Sequence, residues 1–417
     1  MLLVIAWRNI WRNKRRTLIT SGSVFFAIIL AVIMRSSTDG AYEGMINNVV
    51  SFSSGYIQLH KKGYWEEHSI ENALKIDNGF FNKLELQKGI AYSTPRLESF
   101  ALASANAKTK GLAFIGIDPE KEMVAAKIHE KVKQGTYFKN ENDNGIVIGQ
   151  GVAEYFKVGA GDSLVVISQG YHASSAAAIF PVRGIVFLGS PQLNNSLVYL
   201  TLENSRRFLS ADSLCTSVSI YLNDINALEN IANDLRNVYS SDLIEVMTWK
   251  EMMPEVDQFI VADRSGHFIV IGILYLVISF GLYGTVLMMT YERRHEFGIL
   301  VSIGMKKIKL MWLVFFETLF VTFFGAILGM MSSFLLILYF HYNPIEFTGQ
   351  LKEVYQDFGM DAILSFSIDP SIFYYQAFTV FLLALVVSIY PSLKILIECP
   401  LIYLIFKPKL QLVYQRG

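Results

Sequence analysis

The sequence predicts a membrane protein with four transmembrane helices and an α+β extracytoplasmic domain inserted between the first and second helices. Of its 417 residues, 52% are apolar and only 17% are charged, whereas soluble proteins carry about 25% charged residues. Four apolar stretches reach the roughly 20 residues that a helix needs to cross a bilayer. The 36 basic and 36 acidic residues cancel, which argues against nucleic acid as a partner, because binding it needs a basic excess.

The N-terminal segment, residues 1–16, has the pattern of an amphipathic helix in the cytoplasmic interface of the membrane. Apolar and polar residues alternate at near-helical spacing, and Trp7 and Trp11 are side chains that anchor helices in this interface. The alternative is an ordinary basic flank that only sets the topology.

Four spans follow from the apolar stretches. They are 17–38, 267–290, 310–340 and 372–392. The first follows five basic residues, as a cleaved signal peptide would, but no A-x-A-like cleavage site comes after it. The third is long enough to tilt or to project beyond the bilayer.

The orientation follows from the basic residues of the short loops, which stay preferentially in the cytoplasm. Segments 1–16 and 291–309 hold five basic residues each, and the tail 393–417 holds four. The loop 341–371 holds one basic residue against five acidic ones. We therefore expect both termini and 291–309 inside, and 39–266 and 341–371 outside.

The insert 39–266 changes to short β-type runs and polar helices separated by Gly, Asn and Asp turns. Strands and helices mixed without a strict βαβ rhythm predict an α+β domain with antiparallel or mixed sheets. The predicted strands are 55–60, 100–105, 112–116, 163–168, 179–187, 197–200, 216–222 and 243–248. The predicted helices are 150–156, 202–209 and 226–239.

Catalytic motifs are missing from the sequence. There is no G-x-x-x-x-G-K-[ST] loop for ATP, no H-E-x-x-H pair for zinc and no G-x-S-x-G elbow of a hydrolase. The glycines of 145–151 fit a strand-to-helix turn better than a dinucleotide loop. We therefore expect no catalytic residue, no metal site and no cofactor in this chain, and any energy must come from a partner or a gradient.

Glu317 is the acidic residue inside a predicted span that requires an explanation, because intramembrane charges are usually functional. It lies about two helical turns from Lys309, close to the inner interface, where a carboxylate can reach water or a basic neighbour. A structural or coupling role is favoured over a proton relay, since a single acidic residue is not a relay.

The segment 291–307 resembles the cytoplasmic coupling segment of FtsX-like ABC-transporter permeases. That segment follows the pattern R-x-x-E-[FIY]-[GA]-[IV]-L-[RK]-A-[IL]-G-A. The matching residues in this sequence are Arg293, Glu296, Phe297, Gly298, Leu300, Ile303 and Gly304. Val301 stands where a basic residue is usual, and Ser302 and Met305 stand where Ala is usual.

Further segments are similar to the same family in the same order. Residues 6–17 resemble the polar helix before the first span, and 145–162 and 180–186 resemble parts of the extracytoplasmic core. Glu317 stands where the third span of the family usually bears Glu. Residues 390–400, with Pro391 and Pro400, resemble the end of the fourth span.

The resemblance implies a permease of the mechanotransmission type in a bacterial inner membrane, with several spans in the lipid bilayer. A cytoplasmic ABC ATPase dimer would bind ATP and Mg²⁺, and a second permease copy or a related permease would complete the complex. The lipoprotein-releasing branch is the most similar, with a periplasmic lipoprotein carrier as a candidate partner. The alternatives are an efflux permease for a hydrophobic compound or peptide and a non-transporting regulator of a cell-wall hydrolase.

Two candidate sites follow, the first from this resemblance and the second from the small and apolar faces of the first two spans. In the coupling segment, we expect Phe297, Ile299, Leu300 and Ile303 to form an apolar anchor in the ATPase, and Arg293, Glu296, Lys306 and Lys307 to form its polar rim. Between the first two spans, we expect a candidate groove for acyl chains. It comprises Ala27, Ala31, Ile271, Leu274 and Ile278, and the alternative is that these residues pack the dimer.

Overall fold

The computed structural model describes residues 2–397 apart from 13, 77, 240–242, 351 and 353–362. The chain divides into two compact units. The first, named the helical unit, comprises Met1–Ala41, Ala262–Ile345 and Leu364–Gly417, and the second, the sheet unit, comprises Tyr42–Val261 and Glu346–Ile363. Pro400, most of the predicted tail and part of the predicted loop 341–371 lie outside the described residues.

The described helices and strands are numbered separately in chain order. The α-helices are α1 (Leu2–Arg12), α2 (Lys14–Ser53), α3 (Tyr64–Glu67), α4 (Asn78–Glu85), α5 (Pro119–Ala125), α6 (Gln150–Phe156), α7 (Pro191–Ser196), α8 (Leu202–Phe208), α9 (Leu228–Val238), α10 (Trp249–Met252), α11 (Pro254–Glu292), α12 (Arg294–Ser302), α13 (Lys307–Tyr342) and α14 (Pro370–Ile397). The β-strands are β1 (Ile57–Lys61), β2 (Leu74–Lys75), β3 (Ile90–Ala105), β4 (Lys108–Ile117), β5 (Val132–Gly135), β6 (Ile146–Gly149), β7 (Ser163–Gln169), β8 (Ser175–Val186), β9 (Leu197–Thr201), β10 (Leu214–Cys215), β11 (Ser217–Leu222), β12 (Ile244–Thr248), β13 (Ile345–Glu346) and β14 (Ile363–Leu364).

Among the described residues, four helices are long and apolar enough to cross a membrane, as the sequence predicts: α2, α11, α13 and α14. All four are longer than the predicted spans, and two of them extend more than ten residues beyond one end. Helix α2 continues beyond residue 38 to Ser53, and α11 begins at Pro254 rather than near 267. The extension of α2 is polar on average, but its Tyr42, Met45 and Val50 are buried in the core of the sheet unit, which explains why the helix persists after the apolar stretch ends.

Helices α2 and α13 approach closely through two glycines at G-x-x-x-G spacing. A Cβ atom on Gly325 would collide with the backbone oxygen of Ser21, and one on Gly329 would lie 3.0 Å from the oxygen of Phe25. Such small residues let helix backbones pack without an intervening layer of side chains. The contact fixes α2 against α13 inside the helical unit.

The rest of the helical unit is packed unevenly. Helices α13 and α14 lie against each other, and α2, α11, α13 and α14 all contribute to one apolar core that includes Ile28, Leu282, Ala326 and Val380. Most large apolar side chains of α11 are nevertheless exposed. This helix therefore presents much of its apolar surface outside the chain's own core.

A ten-stranded mixed sheet forms the centre of the sheet unit among the described residues. Its order is β12-β1-β11-β3-β4-β9-β6-β8-β5, and β7 pairs with β3 and β8. The pairs β4/β9 and β6/β8 are parallel and the other pairs are antiparallel. This mixed arrangement agrees with the α+β class predicted from the sequence.

Candidate functional site

The segment between the second and third apolar helices folds as a short helix with a glycine turn. Helix α11 ends at Glu292, α12 covers Arg294–Ser302, and α13 begins at Lys307. Gly304 has φ +104°, a left-handed conformation that glycine adopts without steric cost. The amide of Met305 donates to the carbonyl oxygen of Leu300 at 3.0 Å, which closes the turn after α12.

A buried ion pair fixes the start of α12 to α13. The Arg293 guanidinium donates from Nη1 to both carboxylate oxygens of Glu317, at 2.7 and 2.6 Å, and both side chains are only 5% exposed. Arg293 Nε also donates to Glu296 at 3.0 Å. Arg293 is thus a basic neighbour of Glu317, one of the two surroundings expected for this carboxylate from the sequence. The guanidinium also lies 5.2 Å from the centre of the Phe297 ring.

Helix α1 completes this cluster. Ala6 and Phe297 are buried together with Leu310 and Leu313 of α13. At the surface, Arg12 donates to Glu296 at 2.8 Å. The sequence alone places Arg12 in a basic flank; its position in the R-N-x-x-R-type pattern before the first span is the signal that it has a partner.

The charges of the cluster shift the pKa of Glu296 and Arg293 in opposite directions. Burial acts to raise the pKa of Glu296, but the hydrogen bond and charge of Arg293, and then the charge of Arg12, outweigh it, so the pKa is lowered. Burial acts to lower the pKa of Arg293, but Glu317 and then Glu296 outweigh it, so the pKa is raised. Both shifts favour the charged forms that make the ion pairs.

The structure corrects part of the expected anchor and rim. Arg293 is not on an exposed rim, and Phe297 is not an exposed anchor, because both are buried against α13, and Gly298 is buried as well. Ile303 is 80% exposed and Ile299, one turn earlier, is also exposed. A partner can therefore reach Ile299 and Ile303, while Arg293, Phe297 and Gly298 hold the helix from inside.

The remaining predicted residues fall in several places. Leu300 is partly buried, whereas Glu296, Gly304 and Lys306 are exposed and Lys307 is partly exposed. Pro391 lies within α14. Pro400 lies outside the described residues.

The residues of the candidate groove are not equally accessible. Ala27 and Ala31 are buried within the helical unit, so neither lines an open surface of a single chain. Ile271, Leu274 and Ile278 are partly exposed on α11. Within the described part of the chain, no group of three or more His, Cys, Asp or Glu residues is placed to hold a metal ion.

Comparisons with known families match most of the sequence. Residues 17–238 match the MacB-like periplasmic core domain, and residues 268–398 match the FtsX-like permease C-terminal domain. Together the two matches include the whole of α12 and, apart from residue 267, the four predicted spans.

Two curated relatives are similar at modest identity. The lipoprotein-releasing system transmembrane protein LolC of Neisseria meningitidis is 23% identical over 260 residues, which cover 60% of this chain and 62% of LolC. The lipoprotein-releasing system transmembrane protein LolE of Haemophilus influenzae is 21% identical over 311 residues, which cover 72% of this chain and 73% of LolE. The matched segment thus spans less than two thirds of LolC.

Among solved structures, the periplasmic region of MacB from Actinobacillus actinomycetemcomitans is 14% identical, with a TM-score of 0.34, over 51% of this chain and 95% of that chain. The extracellular domain of the ABC-type transporter YknZ from Gram-positive bacteria is 14% identical, with a TM-score of 0.32, over 46% of this chain and 99% of that chain.

Proposed function

The chain belongs to the family of FtsX-like ABC-transporter permeases with a MacB-like periplasmic core domain, and we propose that it releases lipoproteins from a bacterial inner membrane. The family is the membrane component of ABC transporters that work with a cytoplasmic ATPase. The similarity to LolC and LolE, both lipoprotein-releasing proteins, supports lipoprotein as the substrate class.

The observation that carries the coupling part of this proposal is the internal fixation of α12. Its outward face offers Ile299 and Ile303 to a partner, while its other face is held by the buried pair of Arg293 and Glu317. Breaking a buried ion pair by losing one partner costs about 3–5 kcal/mol, whereas an exposed pair contributes about 0–1 kcal/mol. We expect a displacement of α12 to reach α13 through this buried pair.

The displacement of α12 and α13 can be passed on along the first transmembrane helix, α2. Because α2 contacts α13 through Gly325 and Gly329, the two helices move together inside the helical unit. Helix α2 continues to Ser53, and its residues from Tyr42 onward are part of the sheet unit. ATP-driven motion of α12 would thus reach the extracytoplasmic domain without any substrate crossing the bilayer.

The proposal includes partners and a topology. The ATPase dimer binds ATP and Mg²⁺ and docks on the 291–309 segment, and a second permease, either identical or related, completes the complex. Both termini are cytoplasmic, 39–266 and 341–371 are extracytoplasmic, and a periplasmic carrier accepts the released lipoprotein.

Single-cysteine labelling in intact cells tests the topology. We expect an Asn142→Cys variant to react with an impermeant maleimide and a Lys307→Cys variant to be protected, on a background that lacks Cys215 and Cys399. The opposite pattern would refute the orientation.

Purification and reconstitution test the function. The chain is purified in mild detergent, the co-purifying ATPase is identified by mass spectrometry, and the complex is placed in proteoliposomes with a triacylated lipoprotein. We expect release of the lipoprotein to an added periplasmic carrier only with ATP and Mg²⁺. Release that needs no ATP, or ATP-driven export of a hydrophobic compound without lipoprotein release, would contradict the proposal; a co-purifying wall hydrolase without release would favour the regulatory alternative.

For the groove, we propose that the α11 face with Leu274 and Ile278 contacts either an acyl chain or the second permease. Photocrosslinkers at these two positions distinguish the two. Adducts to a lipoprotein that disappear when its acylation is blocked support an acyl site, and adducts only to a second permease support dimer packing.

A further inference from the structure

The C-terminal end of α2 lies inside the sheet unit and is terminated by a tight turn. The amides of Ser54 and Gly55 both donate to the Val50 oxygen, at 3.0 and 2.8 Å. Gly55 has φ +75°, and a Cβ atom there would lie 2.9 Å from the Cβ of Ser219. A side chain at this position would meet both backbone strain and crowding, so the helix end is placed with little freedom.

Two buried side chains bind the last carbonyl groups of this helix. Arg96 Nη1 donates to the Ser53 oxygen, and the Tyr199 hydroxyl donates to the Phe52 oxygen at 2.9 Å. Arg96 lies on β3 and Tyr199 on β9, and both are fully buried. The last carbonyls of a helix have no partner within the helix and carry partial negative charge, so a guanidinium at this end is favourable.

The Arg96 side chain is itself held by the domain. Its Nε donates to Glu122 at 2.7 Å and its Nη2 donates to the other carboxylate oxygen at 3.1 Å. Nη2 also donates to the Tyr221 hydroxyl at 2.8 Å, and Thr94 donates to Glu122 at 2.7 Å. Burial acts to lower the pKa of Arg96, but the Glu122 carboxylate outweighs it and the pKa is raised, so the guanidinium stays charged.

We propose that Arg96 and Tyr199 form a clamp that fixes the end of the first transmembrane helix to the central sheet, so that displacement of the helix moves the domain. This inference rests on the proposed function. It adds Arg96 and Tyr199 as the two residues that position the extracytoplasmic end of α2. Through Arg96, Tyr199 and Glu122 the helix end is joined to β3, β9 and α5.

The matched variants Tyr199→Phe and Tyr221→Phe separate these two roles. Both replace a buried tyrosine and remove one hydroxyl. The Tyr199 hydroxyl donates to a carbonyl of α2, whereas the Tyr221 hydroxyl accepts from Arg96 and donates to Glu122 at 3.4 Å, so its loss leaves the Arg96 bond to Ser53 in place. A third variant, Arg96→Met with Glu122→Met, removes the ion pair as a whole, because replacing both partners avoids an unpaired buried charge.

The experiment is hydrogen exchange on the full chain with its co-purified ATPase in nanodiscs, with and without ATP and vanadate. In Tyr199→Phe we expect exchange in the peptide 50–55 to rise about fivefold, the change expected from the loss of one hydrogen bond, and to stay near wild type in Tyr221→Phe. We expect the nucleotide-dependent change in the β3 peptides to be lost in Tyr199→Phe and in the double variant, while ATPase activity is kept.

Equal exchange in the two tyrosine variants would overturn the clamp. Survival of the nucleotide-dependent change in the double variant, or its absence from the wild type, would overturn the transmission role. Because this measurement needs no substrate, a wild type that releases no lipoprotein would refute the proposed function and leave the clamp to be judged by exchange alone.

Discussion

Replacing Glu317 by Gln tests whether the buried ion pair holds the coupling helix. The substitution leaves the Arg293 guanidinium without a carboxylate at 2.6–2.7 Å, in a site where both side chains are 5% exposed. Removing one partner of a buried pair costs about 3–5 kcal/mol. Because Glu296 still accepts from Arg293 at 3.0 Å, we expect the lower limit, about 3 kcal/mol, or roughly a hundredfold increase in local opening of α12.

Hydrogen exchange of the α12 amides in nanodiscs measures this opening, and co-purification of the ATPase measures its consequence. We expect Glu317→Gln to raise α12 exchange by about two orders of magnitude and to lose the ATPase. Two controls give the scale. Arg12→Gln breaks an exposed pair with Glu296 and is expected to change exchange by about fivefold or less, and Arg293→Met with Glu317→Met is expected to protect α12 better than Glu317→Gln alone.

Glu317→Gln exchange no faster than that of Arg12→Gln would refute the reasoning, because the buried pair would then contribute no more than the surface pair. The same conclusion would follow if the double variant exchanged as fast as the single one.

Three further predictions concern neighbouring features. Gly325→Ile should abolish assembly of the purified complex, because its Cβ would collide with the backbone of α2. Gly22→Ala is the control and should assemble normally, because the space around Gly22 is open. Size-exclusion chromatography measures assembly of both variants. Ile303→Asp should release the ATPase without changing the melting temperature of the permease, since the side chain is 80% exposed. A fall in the melting temperature that accompanies the loss of the ATPase would contradict a docking role. The pKa of Glu296 lies below its ordinary 4.5, so its stabilising contribution is complete above that pH and is lost as the pH falls through the lowered value. The protection of the α12 amides, after division by the intrinsic exchange rate at each pH, should therefore decrease on acidification in wild type and decrease less in Glu296→Gln.

The sequence is sufficient to predict the four apolar helices and the mixed domain, because span length and turn residues are local signals. It does not show that α2 continues to Ser53, since residues 39–53 contain no apolar run and are helical only because some of their side chains enter a core formed by distant strands. For the same reason the sequence predicts β3 only from residue 100, although the strand begins at Ile90.

The orientation of side chains in the candidate site is the part that the sequence could not provide. Arg293 and Ile303 both belong to the family pattern, yet one is buried and the other is exposed. The partner that draws Arg293 inward, Glu317, is 24 residues away on another helix, and a pattern along one segment does not reveal which face that helix covers. Tyr199 and Arg96 carry no motif at all.

The length of α2 has a mechanical consequence. With 40 residues a straight helix would measure about 60 Å, and the hydrocarbon core takes up only about 30 Å of it. In such a straight helix the remainder would have a comparable length, and a tilt of about 5° would displace its end by about 3 Å. For a helix of this length, a small angular change would thus correspond to a displacement as large as a hydrogen bond is long.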